Sequence, residues 1–398
     1  MLIRSVATLF LLFAAPVAAQ SDDAFIAWAR GRIAPIDSFR TLDSRIREAR
    51  LIGVGESVHE TEPFLSFRLQ LLQDLVRRHR VTALVLESGL PEAMTADDYV
   101  HGKTSTIDYD AALPGGFGRL VEIRRTIDWL REWNLGEGKH HPVGVYGADL
   151  PNRSGSMVPA LDRLQELTSG NAEIKAAIDA VRPAATQIHA GWWKGQSDKY
   201  ATLPTDAKTA LTANVAELVR LSKDEWAHRI ALVAQQDEEM LRLGAFAPSA
   251  PRDRAMAENT LWFLNRLPKG ERAVYWAHNA HVQKVDVTGP PLPPGRYPGS
   301  GSRFVAALGR QYCAIATTYG GPSMDNATAA ESGSVDGTLE KVAPHSFLLL
   351  LSARRQPKWL SEERSMRFQT GYLKVPLDAF DAVAYFDHAT KSPRVMAP

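Results

Sequence analysis

The sequence predicts an α/β fold: a central, mostly parallel sheet flanked by helices, with a helical insertion subdomain that is a candidate lid. Three observations predict it. Short apolar runs recur along the chain and each gives way to polar or ionisable residues. Segments with apolar residues at helical spacing separate these runs, and one long middle stretch carries helical spacing alone. The expected organisation is a signal peptide at 1–19, the first part of the α/β core at 20–154, the helical insertion at 155–250 and the second part of the core at 251–398.

Met1 to Arg4 is a short positive start, Ser5 to Ala15 an apolar run, and Val17-Ala18-Ala19 a small-residue cleavage site before Gln20. Export to the periplasm or beyond the cell is therefore expected. The apolar run is too short for a bilayer span, and no later segment is long and apolar enough, so no membrane insertion is expected after the signal is removed. Arg4 leaves with the signal, so 46 basic side chains become 45 against 45 acidic ones. That balance argues against nucleic acid. Cys313 is the single cysteine, which excludes an intramolecular disulfide, and its apolar neighbours read as the setting of an inert core thiol.

The first run, Leu51-Ile52-Gly53-Val54, suits a strand covered on both faces, with Gly55 allowing the chain to bend into a loop that carries Glu56 and His59. Thr61 to His79 follows as a helix, with Leu65, Leu69, Leu72 and Val76 on one face, Thr61 as N-cap and Pro63 in the first turn. Thr82 to Leu86 ends at Glu87. A second helical segment around Leu120 to Trp133 leads to Val143 to Gly147, which ends near Asp149. In the insertion, Leu161, Leu164 and Leu167, then Leu211, Val215, Leu218 and Leu221, keep helical spacing. Trp192, Trp193 and Trp226 there either face a large apolar ligand or pack in a core. After Arg252-Asp253-Arg254, Met256 to Leu264 is a helix leading into Ala273 to Ala277, which ends at His278-Asn279-Ala280-His281. Asp286 to Ser302 is rich in Gly and Pro, including Pro290, Pro291, Pro293 and Pro294, and is expected to be an irregular loop. Cys313 to Ala316, Phe347 to Leu351 and Ala382 to Phe386 supply three later strands.

Ligands of open parallel sheets bind outside the carboxyl ends of the strands. Glu56, His59, Glu87, Asp149, His278 and His281 all fall at such ends, and six ionisable groups at one rim are costly unless paired and used. There is no Gly-x-Ser-x-Gly elbow and no partner for the cysteine, so water activated by a base is the favoured chemistry. His59 would be that base, with Glu56 and Glu87 as candidates to orient its second nitrogen. His278 or His281 would polarise a carbonyl or protonate a leaving alkoxide. Arg68, two turns into the helix, would stabilise an oxyanion or hold a carboxylate. Asp149, Arg252, Asp253, Trp192 and Trp193 are the expected substrate contacts. The same histidines and glutamates are also ligand types of zinc, which keeps a metal-dependent hydrolase as an alternative.

Several stretches are similar to the erythromycin esterases, particularly the type II macrolide esterase branch. They are Gly55-Glu56-Ser57-Val58-His59 with Phe64 and Arg68; Leu86-Glu87-Ser88-Gly89 through His101-Gly102; Trp129-Leu130-Arg131-Glu132; and Gly147-Ala148-Asp149-Leu150-Pro151. Arg252-Asp253 with Met256-Ala257, Ala277-His278-Asn279-Ala280-His281, Gly337 to Val342 and Phe380-Asp381-Ala382 continue the likeness. The resemblance runs from about Ile52 to Phe386. It implies metal-independent attack of water on a macrolide lactone, with no cofactor, His59 as general base, and Glu56, Arg68, Glu87, His278 and His281 lining one cleft. Ser57-Val58 and Glu60 depart from the Asn, Gly and aromatic residues common around the base histidine in that family. An esterase or lactonase for another bulky ester or polyketide, and a protein that binds such a ligand without hydrolysing it, are the competing readings.

Overall fold

Alternate residues of the apolar runs enter two different cores, which is what strands covered on both faces require. Ile52 and Val54, Leu84 and Leu86, Val274 and Trp276, and Cys313 and Ile315 pack into one core with helices Glu62–His79 and Val121–Leu135. Leu51, Ala83 and Val85, Ala273 and Tyr275, and Ala314 and Ala316 pack into the other with helices Pro251–Arg266 and Ser300–Leu308. Full burial of one large apolar side chain is worth about 1.5–3 kcal/mol. A one-residue slip of any strand would exchange its two faces and forfeit several such contributions.

The computed structural model describes residues 15–151, 155–289, 292, 294–322, 324, 328–351 and 356–396. Residues 1–14 of the expected signal peptide lie outside the described residues, as do Pro290, Pro291 and Pro293 of the expected loop. Ala15–Ala19 begin the helix Ala15–Arg30. No helix among the described residues is long and apolar enough to cross a membrane.

In chain order the strands are β1 Ile33–Pro35, β2 Leu51–Val54, β3 Val81–Gly89, β4 Gly144–Asp149, β5 Arg272–Trp276, β6 Val287–Thr288, β7 Arg296–Tyr297, β8 Tyr312–Tyr319, β9 Phe347–Leu350, β10 Arg364–Phe368, β11 Gly371–Val375 and β12 Ala382–Phe386. Eight of them form a sheet in the order β1-β9-β12-β8-β2-β5-β3-β4. The pairings from β12 through β4 are all parallel, and β9 runs antiparallel to both β12 and β1. The fold is thus the mixed α/β arrangement expected, with β2 pairing β5 on one side and β8 on the other.

Two expectations need correction. β3 does not stop at Leu86 but continues through Glu87 to Gly89, with an irregular register against β4 between Leu86 and Gly89. The Gly- and Pro-rich stretch is not wholly irregular: β6 and β7 lie in it and join the hairpin β10–β11 in a four-stranded antiparallel sheet of order β10-β11-β6-β7. The two-residue strands β6 and β7 carry no readable alternation, and the five-residue strands β10 and β11 interleave charged and apolar residues without an apolar run, so the sheet was not expected.

Between Val158 and Leu243 the chain forms helices Val158–Leu167, Ala172–Ile188, Trp193–Ala201, Thr205–Leu221 and Glu225–Leu243. Asn171 and Asp224 cap two of them by accepting backbone N–H bonds. Their apolar faces make a third core with Leu90 and Phe263, so this segment is tied to the sheet through the helices that follow β3 and precede β5.

Candidate active site

The end of β2 is joined to its neighbours by backbone hydrogen bonds that continue past the last strand residue. Gly55 N–H donates to Ile315 O at 2.7 Å, Glu56 N–H to Ala277 O at 3.2 Å, and Asn279 N–H to Glu56 O at 2.8 Å. A Cβ on Gly55 would lie 2.1 Å from Asn279 Oδ1, so only glycine allows the β2 loop and the His278–His281 turn to come this close.

Glu56 is buried at the bottom of this junction, with 1 % of its surface exposed. Its Oε1 is 2.6 Å from His59 Nδ1 and its Oε2 3.1 Å from Arg68 Nη1. Burial alone would push the Glu56 carboxyl up, but Arg68 and then His59 hold it below its ordinary value. A carboxylate can only accept, so Nδ1 of His59 carries a hydrogen, and in the neutral ring Nε2 carries the lone pair. Arg68 stands behind Glu56 rather than facing a cleft. Its Nη2 donates to Val54 O at 2.7 Å and Ala277 O at 2.5 Å, so of the two uses expected for it, holding a carboxylate is the one the geometry supplies. Thr61 precedes the helix as expected, but its hydroxyl donates to Val58 O at 2.8 Å instead of capping, which closes the loop that carries His59.

His278 and His281 come from one short turn yet face opposite surroundings. His278 Nε2 lies 2.7 Å from Ser57 O, and its Nδ1 accepts from Ala280 N–H at 3.2 Å. Both nitrogens are therefore spent on the backbone of the neutral ring. Burial, then the nearness of His59, pulls its pKa down to about 3. Its ring edge meets both His59, at 5.3 Å between centroids, and Phe368, at 4.5 Å. His281 Nδ1 instead meets Asp253 Oδ1 at 2.6 Å. Burial opposes charge on this ring, but Asp253 and then Glu87 outweigh it and raise its pKa. Asp253 is in turn fixed by Ser300, whose N–H and hydroxyl donate to Oδ1 at 2.8 and 2.9 Å.

Arg252 joins the remaining carboxylates. Its Nη2 donates to Glu87 Oε1 at 2.8 Å and to Asp149 Oδ2 at 2.6 Å, and its Nη1 is 3.2 Å from His281 Nε2. Glu87 Oε2 accepts from His278 N–H at 2.8 Å. Glu87 thus links Arg252 to the His278 turn, while Glu56 contacts Nδ1 of His59. Asp149 was expected among the substrate contacts but lies fully buried under Arg252, where it neutralises and orients that side chain and accepts from Leu150 N–H at 2.8 Å.

Arg252, Asp253 and His281 form the polar end of a cavity of about 410 Å³ whose other walls are mainly apolar. The helical segment contributes Trp193, Met240 and Phe246, and the small sheet contributes Val287, Tyr297 and Phe368. Trp192 is half exposed and sits edge-on to Trp193, while Trp226 packs against Tyr146, Trp262 and Phe263 away from this cavity. Sequence reasoning missed Ser300, Phe117, whose ring edge meets His59 at 5.5 Å, and the aromatic walls Phe246, Tyr297 and Phe368. Single serine, tyrosine and phenylalanine residues outside any motif give no local signal, and only the pairing of distant segments brings them here. Cys313 is buried, and burial followed by the Asp381 carboxylate pushes its thiol far up, as an inert core thiol requires.

A family model described as erythromycin esterase matches residues 76–389. Among characterised proteins, a type II erythromycin esterase of Escherichia coli is 23% identical, the alignment covering 89% of this chain and 93% of the relative. A type I enzyme of the same organism is 27% identical over 29% of this chain and 28% of its own length. Among solved structures, a histidine-to-asparagine mutant of the erythromycin esterase EreC in its open conformation superposes with a TM-score of 0.71 at 21% identity, covering 89% of this chain and 94% of that one. A structure described as a succinoglycan biosynthesis protein gives a TM-score of 0.80 at 19% identity, covering 94% and 98%. These structural likenesses establish a shared fold.

Proposed function

The chain belongs to the erythromycin esterase family, and from that premise we propose that it hydrolyses the lactone ester of a macrolide antibiotic and so confers resistance to it. One observation carries the mechanism: a buried, ion-paired carboxylate, Glu56, holds Nδ1–H of His59 and leaves the lone pair on Nε2. In this reading Nε2 takes a proton from water, and the oxygen attacks the lactone carbonyl carbon. The tetrahedral intermediate collapses as the ring C–O bond breaks, and the leaving alkoxide takes its proton from His281, whose pKa Asp253 raises. Water is added across the ester, giving an acid and an alcohol. His278, with both nitrogens engaged, serves as a strut between the β2 loop and the His281 turn.

Erythromycin incubated with the purified protein should yield a product heavier by one water. His59→Ala should abolish that change while the circular dichroism spectrum stays that of the parent. An unchanged ligand that nonetheless binds, measured by calorimetry, would sink the esterase reading and favour a sequestering protein. For the metal-dependent alternative, no group of three or more His, Cys, Asp or Glu side chains among the described residues is arranged to hold an ion. Activity surviving exhaustive dialysis against chelator is the expected result.

The modest cavity favours one further reading, in which the substrate is another bulky ester or polyketide lactone. A screen across macrolide ring sizes and small aryl esters separates the two. Export belongs to the same proposal. Cleavage after Ala19 would shorten the helix Ala15–Arg30, and N-terminal sequencing of material recovered outside the cytoplasm should begin at Gln20.

A further inference from the structure

The segment 390–395 lies across the loop that carries His59. Glu62 N–H donates to Thr390 O at 2.8 Å and Ser392 N–H to Glu60 O at 2.7 Å, forming an antiparallel bridge between Thr61 and Lys391. Further along, Val121 N–H donates to Pro393 O at 3.0 Å and Val395 N–H to Arg119 O at 2.7 Å, with a second bridge between Leu120 and Arg394. Side chains reinforce both crossings. Arg394 Nη2 is 2.6 Å from Glu60 Oε1, and the buried Ser392 hydroxyl donates to Glu122.

The two places so tied are the residue that follows His59 and the turn whose Phe117 ring meets the imidazole. Glu60 follows His59 directly and sits at φ 63°, a left-handed conformation that costs a glutamate about 1 kcal/mol or more and persists only when the surroundings impose it. Phe117 begins the short 3-10 turn Phe117–Arg119, whose last carbonyl the segment holds, and its ring lies edge-on to His59. The segment therefore fixes the backbone on one side of the imidazole and the aromatic ring on another.

We propose that residues 390–395 are a positioning strap, in which Ser392 and Arg394 hold Glu60 and the Phe117 turn so that His59 stays in register with Glu56. Its catalytic consequence rests on His59 acting as the base. Arg394 and Glu60 are both partly exposed, and such pairs contribute little stability, so the effect belongs to catalysis more than to folding. A 1 Å misplacement of a reacting group can cost about a hundredfold in rate, and the partial loosening expected here should cost about tenfold.

The test is made in the full chain with Arg394→Ala, Arg394→Lys and the double variant Ser392→Ala/Arg394→Ala, reading kcat and KM for ester hydrolysis and hydrogen exchange of the 57–62 and 117–121 amides. The strap predicts a kcat about tenfold lower in the double variant, KM within about twofold, faster exchange in both segments, and partial recovery with lysine. Wild-type kcat in the double variant, or unchanged exchange at 57–62, would overturn it. If the double variant does not fold, Arg394→Ala against Arg394→Lys decides by the same two readouts. If the unaltered protein hydrolyses no ester, the functional reading fails while exchange still judges the strap.

Discussion

His278 and His281 are three residues apart and chemically identical, yet their surroundings shift them in opposite directions, His278 downward by burial and His281 upward by Asp253. This difference has a stability consequence. An unfolded imidazole takes up a proton near pH 6.5, whereas folded His278 resists until about pH 3. Its folded pKa is depressed, so the stability it supports is complete above the unfolded value and is lost as pH falls through this window. The loss should be about 2 kcal/mol between pH 7.5 and pH 5. Denaturant melts at those two pH values should show it, and His278→Gln should show a smaller decline. For His281 the sign reverses: Asp253 raises its pKa, so Asp253→Asn should lower it and deprive the leaving group of its acid at lower pH. The alkaline limb of the pH-rate profile should shift downward, with kcat at pH 8 falling about tenfold or more while KM changes little. A profile that keeps its shape would remove His281 from the acid role. The sequence made these histidines candidates by their position after an apolar run, but not their opposite roles. Those depend on Ser57, Ser300 and Asp253, none of which is near them in the chain except through the fold.

At the scale of elements, the parallel strands were legible because each carries an apolar run with two buried faces, as Leu51–Val54 and Cys313–Ala316 within Tyr312–Tyr319 do. Glu62–His79 was legible from its spacing and its proline. The small sheet was not: Val287–Thr288 and Arg296–Tyr297 are two-residue strands in a region read for its prolines, and Arg364–Phe368 and Gly371–Val375 carry no apolar run. The site depends most on the contact between the β2 end and the turn after β5, and Gly55 sets it. Gly55→Ala would bring a methyl group within 3.1 Å of the Asn279 backbone as well as onto its side chain. Either the turn moves or the β2 loop does, at a stability cost of about 1–3 kcal/mol. Because the displacement separates Glu56 and His59 from His278 and His281, kcat should fall about a hundredfold while the protein still melts cooperatively. A variant that loses stability but keeps its kcat would mean that this contact serves folding alone.

Over the whole molecule, the rule that ligands sit at the carboxyl ends of parallel strands was enough to gather Glu56, Glu87, Asp149 and His278 from four different strands before any coordinates. It could not say which of them face the cavity. Asp149 is sealed beneath Arg252, and the apolar walls come from two regions the rule does not mention: the helical segment with Trp193, Met240 and Phe246, and the small sheet with Val287, Tyr297 and Phe368. A volume of about 410 Å³ lies toward the lower end of the range of about 300–1,000 Å³ usual for ligand sites. A small aryl ester fits within it, whereas a glycosylated macrolide must press on both walls and extend past the half-exposed Phe246 and Trp192 at the helical side. The two substrate classes should therefore respond differently when that side is cut back. Trp193→Ala and Phe246→Ala each remove an aromatic surface worth about 1.5–3 kcal/mol when fully covered, so KM for a macrolide should rise about tenfold or more with kcat little changed. KM for a small aryl ester should move less than about twofold. Equal changes for both substrates would mean that the walls only shape the cavity, and that the helical segment does not read the size of what enters it.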